Sequence, residues 1–204
     1  AYAKYGKIGT RAGIPAAAAA QKMLRDQGND AVTLRRVSGT LTDHYDPIKE
    51  TLSLSEGVFD SPSIAAVGIA AHEAGHAMQK RDAYGPLQLR TLVVPVVSFG
   101  STLSLPIFLV GLLAPWQPLV WAGIILFSLT VVFSLITLPV EINASRRAVA
   151  MLNSSGIISG AEEERGVRAV LNAAALTYVA SAVGALLQLV RLLLISRLGA
   201  RRQD

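Results

Sequence analysis

The sequence contains no cysteine, which excludes disulfides and thiolate metal ligands without deciding the compartment. Histidine is nearly as scarce, with three in 204 residues. An imidazole metal site must therefore draw on His44, His72 and His76. Charged residues make up only 16% of the chain, well under the roughly one quarter of soluble domains. Between Thr91 and Val140 Asp, Glu, Lys, Arg and His are missing altogether. Also missing is a basic stripe interleaved with aromatics, so nucleic acid is excluded as a partner. The net charge of +5 is scattered or flanks apolar spans, as in membrane proteins. No signal peptide is visible, and a chain opening on Ala1 is expected to lack its native start.

Hydrophobic residues make up 51% of the sequence, and the mean hydropathy is +0.44. The uncharged run is about twice the length one membrane-spanning helix needs. Near its middle "APWQP" (Ala114 to Pro118) breaks the helix with two prolines and Gln117. The run thus reads as a hairpin of two transmembrane helices, 92–113 and 119–140, with Trp116 and Trp121 at one interface. A soluble core could bury such a hairpin only in a chain with more protein to cover it.

Ahead of the hairpin, "GIPAAAAAQKMLRDQ" (13–27) carries Pro15 near its start and Gly28 beyond its end, the punctuation of a helix. "AVTLRRV" (31–37) and the alternating "ETLSLSEGVF" (50–59) read as strands, with "TLTDHYDP" (40–47) as a turn. They predict a small antiparallel sheet. A helix follows to about Lys80, with Ser61 as its N-cap and Pro62 at its first position. After the hairpin, "VEINASRRAVAMLNSSG" (140–156) continues as a helix out of the membrane. A last helix opens on acids and ends on arginines, which suits the helix dipole. Its polar residues Thr177, Ser181, Gln188 and Arg191, with Gly184, predict a face packed on other helices; lying on the membrane surface is the alternative.

The chemistry concentrates in "IAAHEAGHAMQ" (Ile69 to Gln79). Residues four apart on a helix lie about 40° apart and one turn up, so His72 and His76 project side by side. Two imidazoles so placed can hold one zinc ion. Glu73, one residue round, can reach a zinc-activated water and act as general base toward a peptide carbonyl. Gly75 in mid-helix costs about 1 kcal/mol, which points to close packing there. A catalytic zinc needs a third protein ligand and an open position. The hairpin leaves from Arg90, turns and comes back to the side it left, and the first charge on its return is Glu141. Glu141 is the expected third ligand; its bland alternative is a pair with Arg146 or Arg147. Asn143 and Ser145 are candidates to orient the ligands. Arg146 or Arg147 either binds a substrate carboxylate or oxyanion, or is solvated. His44 or Tyr45 either stabilises the tetrahedral intermediate or donates a proton, or faces water. An exposed edge on strand 50–59 is expected to pair with an extended peptide.

"LTDHYDP", "LSEGVFDSPSIAAVGIAAHEAGHAMQ", "LPVEINASRRA" and "AALTYVA" together resemble the neutral zinc metallopeptidases of bacterial membranes, the YugP-like family. The resemblance covers nearly the whole chain. It implies an integral membrane peptidase of the bacterial cell membrane with one zinc per chain, held by His72 and His76, and Glu73 as base. Members usually begin with a further transmembrane helix, so the N-terminus is expected to be truncated or processed. A more distant likeness links the chain to membrane gluzincins of the CAAX-protease and heat-shock-protease type. Those take the third ligand from a Glu in an E-x-x-A-D pattern. Glu141 matches, but Ser145 stands where the acid would be, which leaves the orienting shell open.

The fold expected is thus a mainly α membrane protein with a zincin-like catalytic helix and a small antiparallel sheet, plus a hairpin and a C-terminal membrane helix. Its parts are 1–90, the N-terminal part of the catalytic domain; 91–140, the hairpin; 141–168, completing the zinc site; and 169–204, the last helix and basic tail. The function expected is zinc-dependent cleavage of membrane or membrane-proximal proteins. A non-catalytic zinc-containing subunit or assembly factor is the alternative. Partners are the lipid bilayer, a peptide or protein substrate and other membrane proteins. Charge asymmetry places the site on the cytoplasmic face, although Arg197, Arg201 and Arg202 would then end outside, against the positive-inside trend.

Overall fold

The computed structural model describes residues 1–200, with side chains through Arg197; Arg201 and Arg202 of the basic tail lie outside the described residues. The chain divides into two compact units, Ala1–Tyr84 with Val140–Leu176, and Gly85–Pro139 with the chain from Thr177 onward.

The first unit contains α1 (Tyr2–Tyr5), α2 (Ala16–Asp26), β1 (Thr33–Val37), β2 (His44–Asp46), β3 (Thr51–Ser55), α3 (Glu56–Phe59) and α4 (Ile64–Arg81). It also holds parts of two long helices, α6 (Gln117–Ser154) and α7 (Gly160–Ala200). Its core forms where Ala16, Ala19, Ala20 and Met23 of α2 pack with the alanine-rich α4 and with Leu52 and Leu54 of β3. Helix α4 is buried around nearly all of its circumference, as expected of a central helix whose small residues admit neighbours on every side. A methyl added at Gly75 would stand 2.5 Å from the carbonyl oxygen of Ala144 on α6. The absent side chain is what allows these two helices to touch. At the start of α7, the buried Glu163 accepts from the backbone N–H of Ser159 (2.8 Å) and of Arg11 (2.6 Å), and so satisfies donors that would otherwise be orphaned.

The sheet is mixed rather than antiparallel throughout. Its order is β1-β3-β2, with β1 parallel and β2 antiparallel to β3. Part of the expected turn forms β2, because Asp43 accepts from the backbone N–H (2.7 Å) and hydroxyl (3.1 Å) of Ser55 and draws the segment alongside β3. Strand β3 is central, with both edges paired, and is buried from Leu52 to Ser55. The expected open edge on strand 50–59 is therefore not available, and residues 56–59 are helical. The N-cap of α4 also moves. Ser63, not Ser61, accepts from Ala66 N–H (3.2 Å). Pairing of Gly9 with Ser63, and of Ile64 N–H with the Ile8 carbonyl, keeps the chain extended past Pro62, and the helix starts later.

In the second unit α5 (Gly85–Leu113) and α6 are joined by a short turn at Ala114–Trp116. A Cβ on Gly123 would fall 2.7 Å from the backbone nitrogen of Phe108, and one on Gly111 2.6 Å from that of Val120, so glycines set this helix contact too. Phe108, Val120 and Ile124 cluster with Leu192 of α7. Large apolar side chains elsewhere point outward, among them Leu92, Phe99, Leu113 and Ile125. Among the described residues, three helices are long and apolar enough to cross a membrane. On α7 the expected packing stripe is misplaced. Ser181, Gly184 and Arg191 are exposed, while Ala182, Leu192 and Ser196 are buried. The apolar hairpin offers Leu192 a cluster and Ser196 the amide of Gln117 (3.3 Å), and those contacts decide which face turns inward.

Candidate metal centre

Helix α4 delivers His72 and His76 one turn apart, with ring centroids 4.8 Å apart and planes at 85°. Helix α6 crosses α4 at Gly75–Ala144, and Glu141 lies one turn of α6 before that crossing. Its carboxylate, 2% exposed, sits 3.1 Å from His72 Nε2 and 3.6 Å from His76 Nε2. One donor atom from each of the three lies within 4.8 Å of the others.

Each imidazole is held from behind. His72 Nδ1 is 3.2 Å from Ser145 Oγ, and His76 Nδ1 is 2.9 Å from Gln79 Oε1. Ser145, which replaces the acid of the E-x-x-A-D pattern, therefore contacts the ring nitrogen as a neutral hydroxyl. Asn143 Oδ1 accepts from Gln79 Nε2 (3.0 Å) and from Arg147 Nε (2.9 Å), and Arg147 also pairs with Asp82. The Asp82 carboxyl is held below its ordinary range by that hydrogen bond from Arg147 and a further one from Arg81, which outweigh slight burial. Arg147 lines a cleft of about 250 Å³ with Asp82 and Arg81 that contains none of the three donor residues. Arg146 is exposed.

Glu73 is buried on α4, and among the described residues no hydrogen bond ties its carboxylate to the protein. Burial by itself lowers the proton affinity of His76, but the hydrogen bond it donates to Glu141 and the charges of Glu73 and Glu141 outweigh it, and the net shift is upward. His44 is exposed, its Nδ1 2.8 Å from the carbonyl of Thr42, and it stands outside the donor cluster. Tyr45 packs half-buried against the core. Burial, helped by Glu50 and Asp46, pushes its hydroxyl up to about 12. Gln79 escaped the sequence reading. Its one signal was the spacing, three residues beyond His76 and so on the same helix face.

The family described as "Putative neutral zinc metallopeptidase" matches residues 1–197. The chain belongs to that family. It is also 46% identical over 194 residues to the "Putative membrane protease YugP" of Bacillus subtilis (strain 168), covering 95% of this chain and 86% of that relative. No solved structure matches. The residues present fit the zinc that the metallopeptidase family implies. Two imidazoles and a carboxylate are ordinary zinc donors. Glu73 and Glu141 bring two buried carboxylates beside the two imidazoles, with Glu141 in contact with both rings. A dication suits a buried donor set of this charge and composition.

Proposed function

We propose that this protein is a membrane-embedded zinc endopeptidase, a gluzincin in which His72, His76 and Glu141 hold the metal and Glu73 is the general base. The observation that carries the reading is the donor count. Three donors gather at the site, whereas structural zinc sites close with four protein ligands and catalytic ones keep a position open. That count favours the enzyme over a subunit retaining zinc for structure alone. Zinc, when bound, supplies Lewis-acid polarisation of a carbonyl and lowers the pKa of water toward neutrality. Glu73 takes the attacking water's proton and passes it to the leaving amine. Its buried position and lack of protein hydrogen bonds keep the carboxylate available for that transfer.

The substrate reading moves with the strand order. With β3 paired on both sides, the sheet edges left for an extended peptide are those of β1 and β2. The short β2 packs near α4, so a peptide added along β2 would lie beside the catalytic helix and bring His44 into reach as a substrate contact. Three long apolar helices among the described residues support a bilayer location. Substrates are then membrane or membrane-proximal proteins, with the site on the cytoplasmic face, where the charged segments lie.

Purified protein should carry one zinc per chain by metal analysis and cleave an unfolded membrane protein. Glu73→Gln should keep the zinc and lose cleavage by about a thousandfold or more. Zinc binding with equal cleavage by both forms, or with none by either, would defeat the enzyme reading for that substrate class. A metal-free protein would defeat the site itself.

A further inference from the structure

The structure assigns Gln79 as the positioning residue that fixes which nitrogen of His76 is offered to the metal. Gln79 is fully buried on α4. Its amide nitrogen lies 2.8 Å from the Val140 carbonyl and 3.0 Å from Asn143 Oδ1. A backbone carbonyl can only accept, so the –NH₂ end must face α6 and the carbonyl end must face His76. Asn143 is oriented in turn, since its Oδ1 also receives the Arg147 guanidinium, which cannot accept. The Gln79 oxygen 2.9 Å from His76 Nδ1 therefore requires a proton on Nδ1. Nε2, the atom 3.6 Å from Glu141, is then the nitrogen left to bind zinc.

Every orientation in the chain Arg147–Asn143–Gln79–His76 thus follows from one group that can only donate and one that can only accept. The same amide ties α4 to α6 beside the two metal-bearing positions His76 and Glu141. A carboxylate at position 79 could accept from His76 but could not donate to Val140 and Asn143. The neutral amide does both without adding a third negative charge to Glu73 and Glu141. The fixed tautomer is the part of the inference that a mere cross-brace between helices would not produce.

This inference rests on the zinc reading, and ¹⁵N-histidine NMR of the zinc-loaded protein in detergent separates the two, with only three rings to assign. The expected spectrum shows His76 protonated at Nδ1 and metal-bound at Nε2. Gln79→Met, which keeps the volume and removes both polar ends, should weaken zinc binding on the order of ten- to a hundred-fold in chelator competition. It should also shift the visible spectrum of the cobalt-substituted protein. Gln79→Glu should weaken it as well. Binding of zinc through Nδ1 of His76 would overturn the assignment and leave the zinc site standing. So would a Gln79→Met protein whose zinc affinity stays within about twofold and whose cobalt spectrum is unchanged. The wild-type spectrum decides the tautomer even if neither variant folds. Failure of wild type to bind zinc would remove both readings together.

Discussion

Helices α4 and α5 are both apolar, yet they spend their apolar surface in opposite ways. In α4 the residues are small, and Ala65, Ala70, Ala71, Ala74 and Ala77 are fully buried. In α5 they are large, and Leu92, Phe99 and Leu113 are 75%, 71% and 84% exposed. Hydropathy alone does not distinguish a helix covered by protein from one covered by lipid. Residue size does: small side chains mark where helices touch, and large ones turn outward where acyl chains can fill the space around them.

The comparison breaks most sharply if one leucine from each side is truncated. Leu52 is fully buried in the core that includes α4, so Leu52→Ala should cost about 2–5 kcal/mol. Leu113→Ala should stay within about 0.5 kcal/mol, since its side chain meets little protein. Denaturant unfolding in one detergent measures both. Equal costs would mean that the outward face of α5 is covered by protein after all.

Glycines sharpen the same contrast. Gly75 meets the backbone of Ala144, whereas a Cβ on Gly184 has nothing within 4 Å. Gly75→Ala forces a methyl against a carbonyl that cannot rotate away, and should cost about 1–3 kcal/mol through overpacking. Because Glu141 lies one turn from the contact, zinc affinity should fall as well. Gly184→Ala should be neutral, or stabilising by up to about 1 kcal/mol through helix propensity. The ranking is checked by thermal melting together with zinc titration. A Gly75→Ala protein that binds zinc as wild type does would show that α4 and α6 can separate without moving the ligands.

How far the site could be read from the sequence follows the same division. "HEAGH" places its two imidazoles by local helical geometry. Glu141 could be reached because an uncharged run with a central break must return to the side it left. Gly75 was legible as a packing residue from its helical cost, and the structure shows its partner to be Ala144. What stayed hidden depends on distant partners. Nothing in "TLSLS" says that β1 will pair with it in parallel while β2 takes the other edge. The start of α4 was set by Gly9, far along the chain. Gln79 looks like a surface residue until Val140 and Asn143 arrive beside it. Polar residues on α7 formed a convincing stripe, but the hairpin had apolar contacts to offer, and these turned Leu192 inward instead.

The smallest effect tests the contrast through pH. Nothing between Thr91 and Pro139 titrates, so the slope of stability near neutrality belongs to the charged unit. In the metal-free protein His76 holds its proton more tightly than an unfolded chain would. Burial opposes this, but the hydrogen bond to Glu141 and the charges of Glu141 and Glu73 prevail. A group raised in the folded state contributes fully below its unfolded value, about 6.5, and that contribution fades as pH climbs through the raised one. The metal-free midpoint should therefore fall from about pH 6.5 upward. Zinc reverses the sign, because its ligands must be deprotonated to bind and the stabilisation it gives grows with pH. Melting curves with and without zinc between about pH 6 and 9 should diverge. His76→Ala should flatten the metal-free slope and remove the zinc-dependent one. A metal-free midpoint that rises across that window would show that Glu141 does not hold a proton on His76, and that the two carboxylates of the site are balanced in some other way.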